Sequence, residues 1–157
     1  DYVAKMSAGP AQDRAALGVV SQWAQLDPKS AADWAADFPE GDVRASALQS
    51  VAGAWGGSDP EGAAVWLANL TGGKSRDMAL SGYAGSIAGS APETAVNWAN
   101  MISDADMRKN SLTSIAYSWL RTDPTAAKAW IQGSSLPDAT KAQLQKQFQQ
   151  SSPGSTW

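Results

Sequence analysis

Apolar and small residues along most of the chain fall at positions i, i+3, i+4 and i+7, with polar residues between them. This spacing places side chains on one face of an α-helix, so each run predicts an amphipathic helix. The runs alternate between two types, which we interpret as the first and second helices of successive pairs. First-helix faces are Ala16, Val19, Val20 and Trp23; Leu48, Val51, Ala52 and Trp55; Leu80, Tyr83, Ala84 and Ile87; and Leu112, Ile115, Ala116 and Trp119. Second-helix faces are Ala31, Trp34, Ala35 and Phe38; Ala63, Trp66, Leu67 and Leu70; and Ala95, Trp98, Ala99 and Ile102.

The helical faces repeat at a fixed interval, the distance in sequence from Trp34 to Trp66, and several residue types recur in that register. A fixed period of roughly 20 to 50 residues is typical of stacked repeat architectures. We therefore predict an all-α fold, a right-handed αα-solenoid of four 32-residue helix pairs plus terminal helices. The recurring columns are Trp34, Trp66, Trp98 and Trp130; Ala31, Ala63, Ala95 and Ala127; Pro28, Pro60, Pro92 and Pro124; Leu48, Leu80, Leu112 and Leu144; and Arg44, Arg76 and Arg108.

Most second helices are predicted to begin at an Asp-Pro pair. The aspartate carboxylate accepts hydrogen bonds from backbone N–H groups that have no partner in the first turn, and proline suits the first helical position. The pairs are Asp27-Pro28, Asp59-Pro60 and Asp123-Pro124. Ser90-Ala91-Pro92 replaces the pair in the third unit, so we expect a weaker cap there or a cap shifted to Ser90.

A stripe of small residues runs beside the first-helix faces. Glycine is about 1 kcal/mol less favourable than alanine inside a helix, so its recurrence needs a reason. The simplest reason is close approach of a neighbouring helix. The stripe comprises Gly18, Ser21, Ser50, Gly53, Gly82 and Gly85.

One repeat domain is expected over residues 1–150. Its repeats are 11–38, 42–70, 75–102 and 106–134, and 138–150 forms a capping helix that buries Leu144 and Phe148 beneath a polar outer face. Residues 1–8 match the end of a second helix, because Asp1-Tyr2-Val3 aligns with Asp33-Trp34-Ala35. We interpret 1–8 as the remnant of a preceding repeat in a longer array, and 151–157 as a flexible tail.

The composition of the chain excludes several classes of function and of binding site. The net charge is −3 and the 12 lysines and arginines are scattered, so we expect no nucleic-acid binding. The chain has no cysteine and no histidine, which excludes disulfides, imidazole or thiolate metal sites and histidine-dependent triads. Polar residues interrupt every apolar stretch, so no membrane span is predicted. No cofactor and no small-molecule ligand are expected.

No group of residues predicts catalysis. Gly72-Gly73-Lys74-Ser75 has only the end of a phosphate-binding loop, and the preceding segment reads as a helix rather than a strand. Ser103 to Asp106 lacks the spread of ligands that a calcium loop needs and fits a helix cap. We therefore expect a protein that is not an enzyme.

Partner-binding candidates are the arginine column and Trp157. Arg44, Arg76 and Arg108 each stand at the start of a first helix, where a ladder of cations could bind an acidic partner. The alternative is structural: ion pairs with neighbours such as Asp42 or Asp106, or hydrogen bonds to a turn, because a cation opposes the helix dipole there. Trp157 lies beyond the core pattern and is either a disordered end or a docking residue. The other seven tryptophans lie on apolar faces, where packing in the core is the simpler role than a sugar-binding ladder.

The helix pairs resemble the tetratricopeptide-like αα-solenoids, although the period of that family, about 34 residues, is slightly longer than the interval in this chain. The pattern W-x3-D-P-x2-A-x2-W, at Trp55 to Trp66 and Trp119 to Trp130, is more similar to Trp-rich helical repeats of uncharacterised bacterial envelope proteins. That resemblance implies scaffolding, a periplasmic or extracellular location and no known catalysis. The expected function is a protein–protein interaction scaffold or accessory subunit of a larger assembly. A carbohydrate or cell-wall binding module is the alternative.

Overall fold

The structure, a computed structural model, describes residues 9–151, and this part of the chain is all-helical. None of its helices has both the length and the apolar character needed to cross a membrane. The predicted remnant at 1–8 lies outside the described residues, as does Trp157. The helices are α1 (Pro10–Trp23), α2 (Pro28–Ala36), α3 (Asp42–Ser58), α4 (Pro60–Ala68), α5 (Lys74–Ile87), α6 (Pro92–Ala99), α7 (Ala105–Thr122), α8 (Pro124–Gly133) and α9 (Asp138–Ser151).

The even-numbered helices α2, α4, α6 and α8 each begin at a proline, as predicted. Asp27, Asp59 and Asp123 cap three of them by accepting hydrogen bonds from backbone N–H groups of the first turn. The third unit differs, because its cap position is Ala91, which makes no side-chain cap. The weaker cap is confirmed. The shift to Ser90 is wrong, because the Ser90 hydroxyl donates backwards to the Ile87 carbonyl at 3.3 Å.

Odd-numbered helices begin after a glycine column that the sequence reading did not single out. Gly41 and Gly73 precede α3 and α5 with φ of +158° and +123°, a backbone region that side chains with a Cβ rarely adopt. The next position in this register is Ala105, and α7 begins differently there. Asp104 caps it by accepting a 2.7 Å hydrogen bond from the Met107 N–H, as expected for this acidic turn.

Every extensive helix–helix contact joins helices no more than two apart along the chain. The odd helices pack successively, α1 on α3, α3 on α5, α5 on α7 and α7 on α9, while α2, α4 and α6 each pack against the odd helix on both sides. The buried apolar side chains form one continuous cluster that runs from Val20 in α1 to Phe148 in α9. Leu144 and Phe148 are both buried, which confirms the apolar face predicted for the last helix.

Helices α3 and α5 approach each other closely at Gly82. A Cβ added at Gly82 would clash with the backbone oxygen of Gln49, and one added at Gly53 would lie 3.6 Å from the Gly82 oxygen. Close approach therefore explains Gly82, whereas a Cβ at Gly53 would make only an ordinary van der Waals contact. The same explanation is wrong for Gly18 and Gly85, where no described residue lies within 4 Å of an added Cβ.

Most units contain a pair of aromatic rings at the same two register positions. Trp55 and Trp66 stack with centroids 5.7 Å apart, and the pairs Trp23–Trp34 and Trp119–Trp130 lie at 6.1 Å. The third unit has Ile87 at the first position, and Tyr83 contacts Trp98 instead, at 5.3 Å. Trp55 and Trp119 are buried, and the other five described tryptophans are partly buried against the core. The prediction that these seven pack in the core is thus confirmed.

One residue of the predicted apolar faces is exposed. Val19 in α1 is 44% accessible, whereas its counterparts Val51, Tyr83 and Ile115 are at most 3% accessible. The counterparts lie on helices that pack against a preceding odd helix, and no described helix precedes α1. The expectation that Val19 is a core residue is therefore wrong for the described residues.

Candidate functional site

Two of the three candidate arginines converge on one turn, the segment that follows α6. The Arg108 Nη1 donates to the Ile102 carbonyl at 2.6 Å and lies 3.4 Å from the Ser103 carbonyl. The Arg76 Nη1 lies 3.4 Å from the Met101 carbonyl of the same turn. These contacts are the hydrogen bonds to a turn that the structural alternative describes.

Arg44 has a different environment. Its guanidinium pairs with Glu40, one helical turn earlier, at 3.2 Å, and its Nε is buried without a hydrogen-bond partner among the described residues. Neither of the partners considered from the sequence is used, because Asp42 pairs with Lys74 and Asp106 with Lys109. The three arginines are therefore not equivalent, and their role in binding a partner stays a prediction.

A buried carboxylate also forms hydrogen bonds with the turn after α6. Asp77 in α5 is only 4% accessible, and its two oxygens accept hydrogen bonds from the N–H groups of Ser103 and Asp104, both at 2.9 Å. A buried charge requires such partners, because it loses its hydration. The sequence reading missed Asp77. The available signal was a carboxylate at a register position where the preceding unit has the apolar residue Ala45.

We call this arrangement the closed junction: the start of α5 with Arg76, Asp77 and Leu80, and the turn with Ser103 and Asp104. Leu80, one helical turn after Arg76, is completely buried. A depression of about 540 Å³ remains at this junction, lined by Lys74, Asp77, Asp104 and Met107 together with Gly73. The neighbouring Trp98 and Ile102 do not line this depression.

The positions that the predicted 32-residue register aligns with these form what we call the open junction, between α1, the turn after α2 and the start of α3. Here Gln12 takes the place of Arg76, Asp13 that of Asp77, Ala16 that of Leu80 and Pro39 that of Ser103. Proline has no N–H, so Asp13 cannot repeat the first hydrogen bond of Asp77. A cavity of about 550 Å³ opens at this point, and Trp34 and Phe38 line it together with Gln12, Asp13 and Ala16.

Two of the carboxylates around the open junction already have partners. Glu40 pairs with Arg44 and accepts a 2.6 Å hydrogen bond from the Ser75 hydroxyl. Asp42 pairs with Lys74 at 2.6 Å, which lowers the pKa of Asp42 and raises the pKa of Lys74. These contacts join the start of α3 to the start of α5.

The described residues contain no group of three or more aspartates or glutamates placed to hold a metal ion. Comparison of the chain with protein-family models, with curated proteins and with solved structures found no match in any of the three.

Proposed function

We propose that the chain is a right-handed αα-solenoid of 32-residue helix pairs that serves as a protein–protein interaction scaffold or accessory subunit. The observation that supports this proposal is the pattern of helix packing: among the described helices, extensive contacts join only those that are one or two apart in the chain. Such a quasi-one-dimensional arrangement is characteristic of repeat proteins, whose extended surfaces bind partners. The sequence resemblance extends the proposal to an assembly of the cell envelope.

Among the candidate arginines, Arg76 is the best suited to contact a partner. Arg108 already makes a short hydrogen bond to a carbonyl, and the Arg44 guanidinium pairs with Glu40. Within the part of the chain that the structure describes, the Arg76 guanidinium makes one long contact, of 3.4 Å, to the Met101 carbonyl. Its planar group of five donors can therefore bind a carboxylate of an acidic partner segment.

The alternative function, carbohydrate binding, needs aromatic faces that a sugar ring can cover. None of the seven tryptophans within the described residues is exposed; two are buried and five are partly buried. Pairing of the rings within each unit uses part of the aromatic surface. Trp34 lines the cavity of the open junction, but the described residues contain no row of exposed tryptophans that could follow a sugar chain, and this favours the scaffold over the sugar-binding module.

The test is affinity capture with this chain from an extract of its source organism, followed by cross-linking and mass spectrometry. We expect a stoichiometric protein partner whose cross-links fall on one face of the helical array. Arg76→Gln should weaken capture, whereas Arg121→Gln, an exposed arginine outside the column, should not. Retention on glycan with no protein recovered would instead support the carbohydrate-binding module.

A further inference from the structure

At the closed junction, the protein's own Arg76 shows where an arginine side chain can lie in this part of the fold. Arg76 extends from α5 towards the Met101 carbonyl, and Leu80 fills the adjoining core. In the open junction, glutamine and alanine stand at the same register positions, so both large side chains are replaced by smaller ones. Gln12 and Ala16 both line the cavity of about 550 Å³ at the open junction. The depression at the closed junction has a similar volume, but neither Arg76 nor Leu80 lines it.

The wall of that cavity is aromatic. Trp34 and Phe38 lie edge to face with centroids 4.7 Å apart, and both are only partly buried. The corresponding pair in the third unit, Trp98 and Ile102, has an aliphatic second member that is 1% accessible. Accessible ring faces attract cations through the quadrupole of the aromatic ring, and the planar guanidinium of arginine also stacks on them.

The charge at the cavity is acidic. Asp13, Glu40 and Asp42 line it, and no lysine or arginine is among the described lining residues. Arg44 and Lys74 neutralise Glu40 and Asp42 from outside the cavity, whereas no described cation pairs with Asp13. Among residues 9–151, Asp13 also lacks the pair of N–H donors that Asp77 has in the closed junction. A carboxylate beside two aromatic rings is thus left to face the cavity.

We propose that the open junction binds an arginine side chain of a partner polypeptide, which takes the position that Arg76 occupies in the closed junction. The guanidinium pairs with the Asp13 carboxylate and stacks on Trp34 or Phe38. Arginine is preferred to lysine, because its planar fork pairs with a carboxylate through two hydrogen bonds and is less strongly hydrated. The volume of the cavity lies within the range of about 300–1,000 Å³ found for ligand sites. This inference rests on the proposed function as a binding scaffold and names the partner's chemistry.

The test uses a blocked peptide, Gly-Ser-Arg-Ser-Gly, and a control peptide with citrulline in place of arginine, which has a similar shape but no charge. Each is titrated into the whole chain while the amide and indole N–H signals are followed by NMR. We expect saturable shifts of the Trp34 indole and of the backbone from Phe38 to Val43 with the arginine peptide only. Equal shifts with both peptides, or no shifts at this site, would overturn the proposal.

Variants locate the site. Asp13→Asn should weaken peptide binding by about tenfold or more, because it removes a charge-assisted hydrogen bond. The matched control Glu61→Gln changes an exposed first-turn carboxylate on α4 and should leave the affinity unchanged. The double change Gln12→Arg with Ala16→Leu supplies the closed junction's own residues and should abolish binding while the thermal unfolding temperature is kept or raised. Retained binding by a folded double variant would contradict the proposal.

The two proposals fail in different ways. If the peptide does not bind but affinity capture still yields a protein cross-linked elsewhere on the helices, the scaffold function stands and the arginine site is wrong. If the peptide binds and capture yields no protein, the site is a small-ligand pocket, and the assignment to a partner polypeptide is overturned.

Discussion

The closed and the open junction occupy positions that the predicted 32-residue register aligns, and they differ in the side chains that line the space beside the turn. At the closed junction, Arg76 contacts a carbonyl of the turn after α6, and Asp77 accepts hydrogen bonds from two of its N–H groups. Leu80, one helical turn further along α5, is fully buried. At the open junction, Gln12 and Ala16 are shorter, and Pro39 removes an N–H donor. Both junctions have an aspartate at the same position, Asp13 or Asp77, but the two carboxylates have different surroundings.

This difference indicates that residues aligned by the predicted register do not share the same chemical environment. The same carboxylate is a structural clamp where the turn supplies two N–H groups, and a potential ligand where the turn supplies a proline. The functional candidates in such a chain are therefore the positions where one unit lacks what its neighbours have.

The largest expected effect comes from making the closed junction resemble the open one with Leu80→Ala. Truncation of a fully buried leucine should lower the free energy of unfolding by about 2–5 kcal/mol, measured by urea denaturation. Ala16→Leu is the reverse change at the open junction and should raise it by about 1 kcal/mol, because the new side chain fills the cavity wall. Equal losses from both changes would refute the comparison.

The clamp itself is tested by Asp77→Asn. Asparagine keeps one acceptor oxygen, so one of the two N–H groups of the turn loses its partner, and unfolding should become easier by about 1–3 kcal/mol. Asp13→Asn, the same change in the same register position, should have an effect below about 1 kcal/mol, limited to its helix-dipole contribution. A loss at Asp13 as large as that at Asp77 would show that Asp13 also clamps its turn.

Two glycines in one register position extend the comparison beyond the junctions. Gly82→Ala should destabilise the protein by about 1–3 kcal/mol, because the methyl group would clash with the Gln49 backbone. Gly18→Ala meets open space and should stabilise it by about 0.5–1 kcal/mol through helix propensity. Thermal unfolding of both variants shows at which position the packing of the helices requires glycine. Destabilisation of the Gly18 variant would reveal an additional packing partner.

The smallest effect is electrostatic and concerns the Asp42–Lys74 pair. The folded-state pKa of Asp42 is lowered from its ordinary value of 3.8, so the pair stabilises the fold above that pH. The contribution is lost as the pH falls through the folded pKa, below 3.8. Asp42→Asn should therefore reduce the dependence of the unfolding temperature on pH in that acidic range. An unchanged dependence would show that the exposed pair is broken in solution.

The helices and most of their caps could be predicted, because Asp-Pro pairs and apolar spacing act within a few residues of the chain. The burial of individual side chains was harder to predict, because it depends on the neighbouring helices. Val19, for example, shares its register position with buried residues but is exposed. Gly18 and Gly82 share a position too, and only Gly82 meets another helix.

The candidate site was only partly predictable. The arginine column was visible, but the convergence of Arg76 and Arg108 on one turn requires the fold. Two of the residues that line the cavity, Gln12 in the arginine column and Ala16 in the leucine column, could be read from the sequence as departures from their columns. Their meaning depends on Asp77 and its two hydrogen bonds, which only the structure shows.

Hydrogen exchange of two amides in the same register position tests the central claim most directly. The Asp104 N–H donates to Asp77 at the closed junction, and its counterpart is the N–H of Glu40 at the open one. We predict slow exchange at Asp104 in all conditions, and fast exchange at Glu40 that slows when the arginine peptide is present. Equal protection of the two amides in the free protein, with no change on addition of the peptide, would contradict the claim that one junction is closed by the chain and the other is left for a partner.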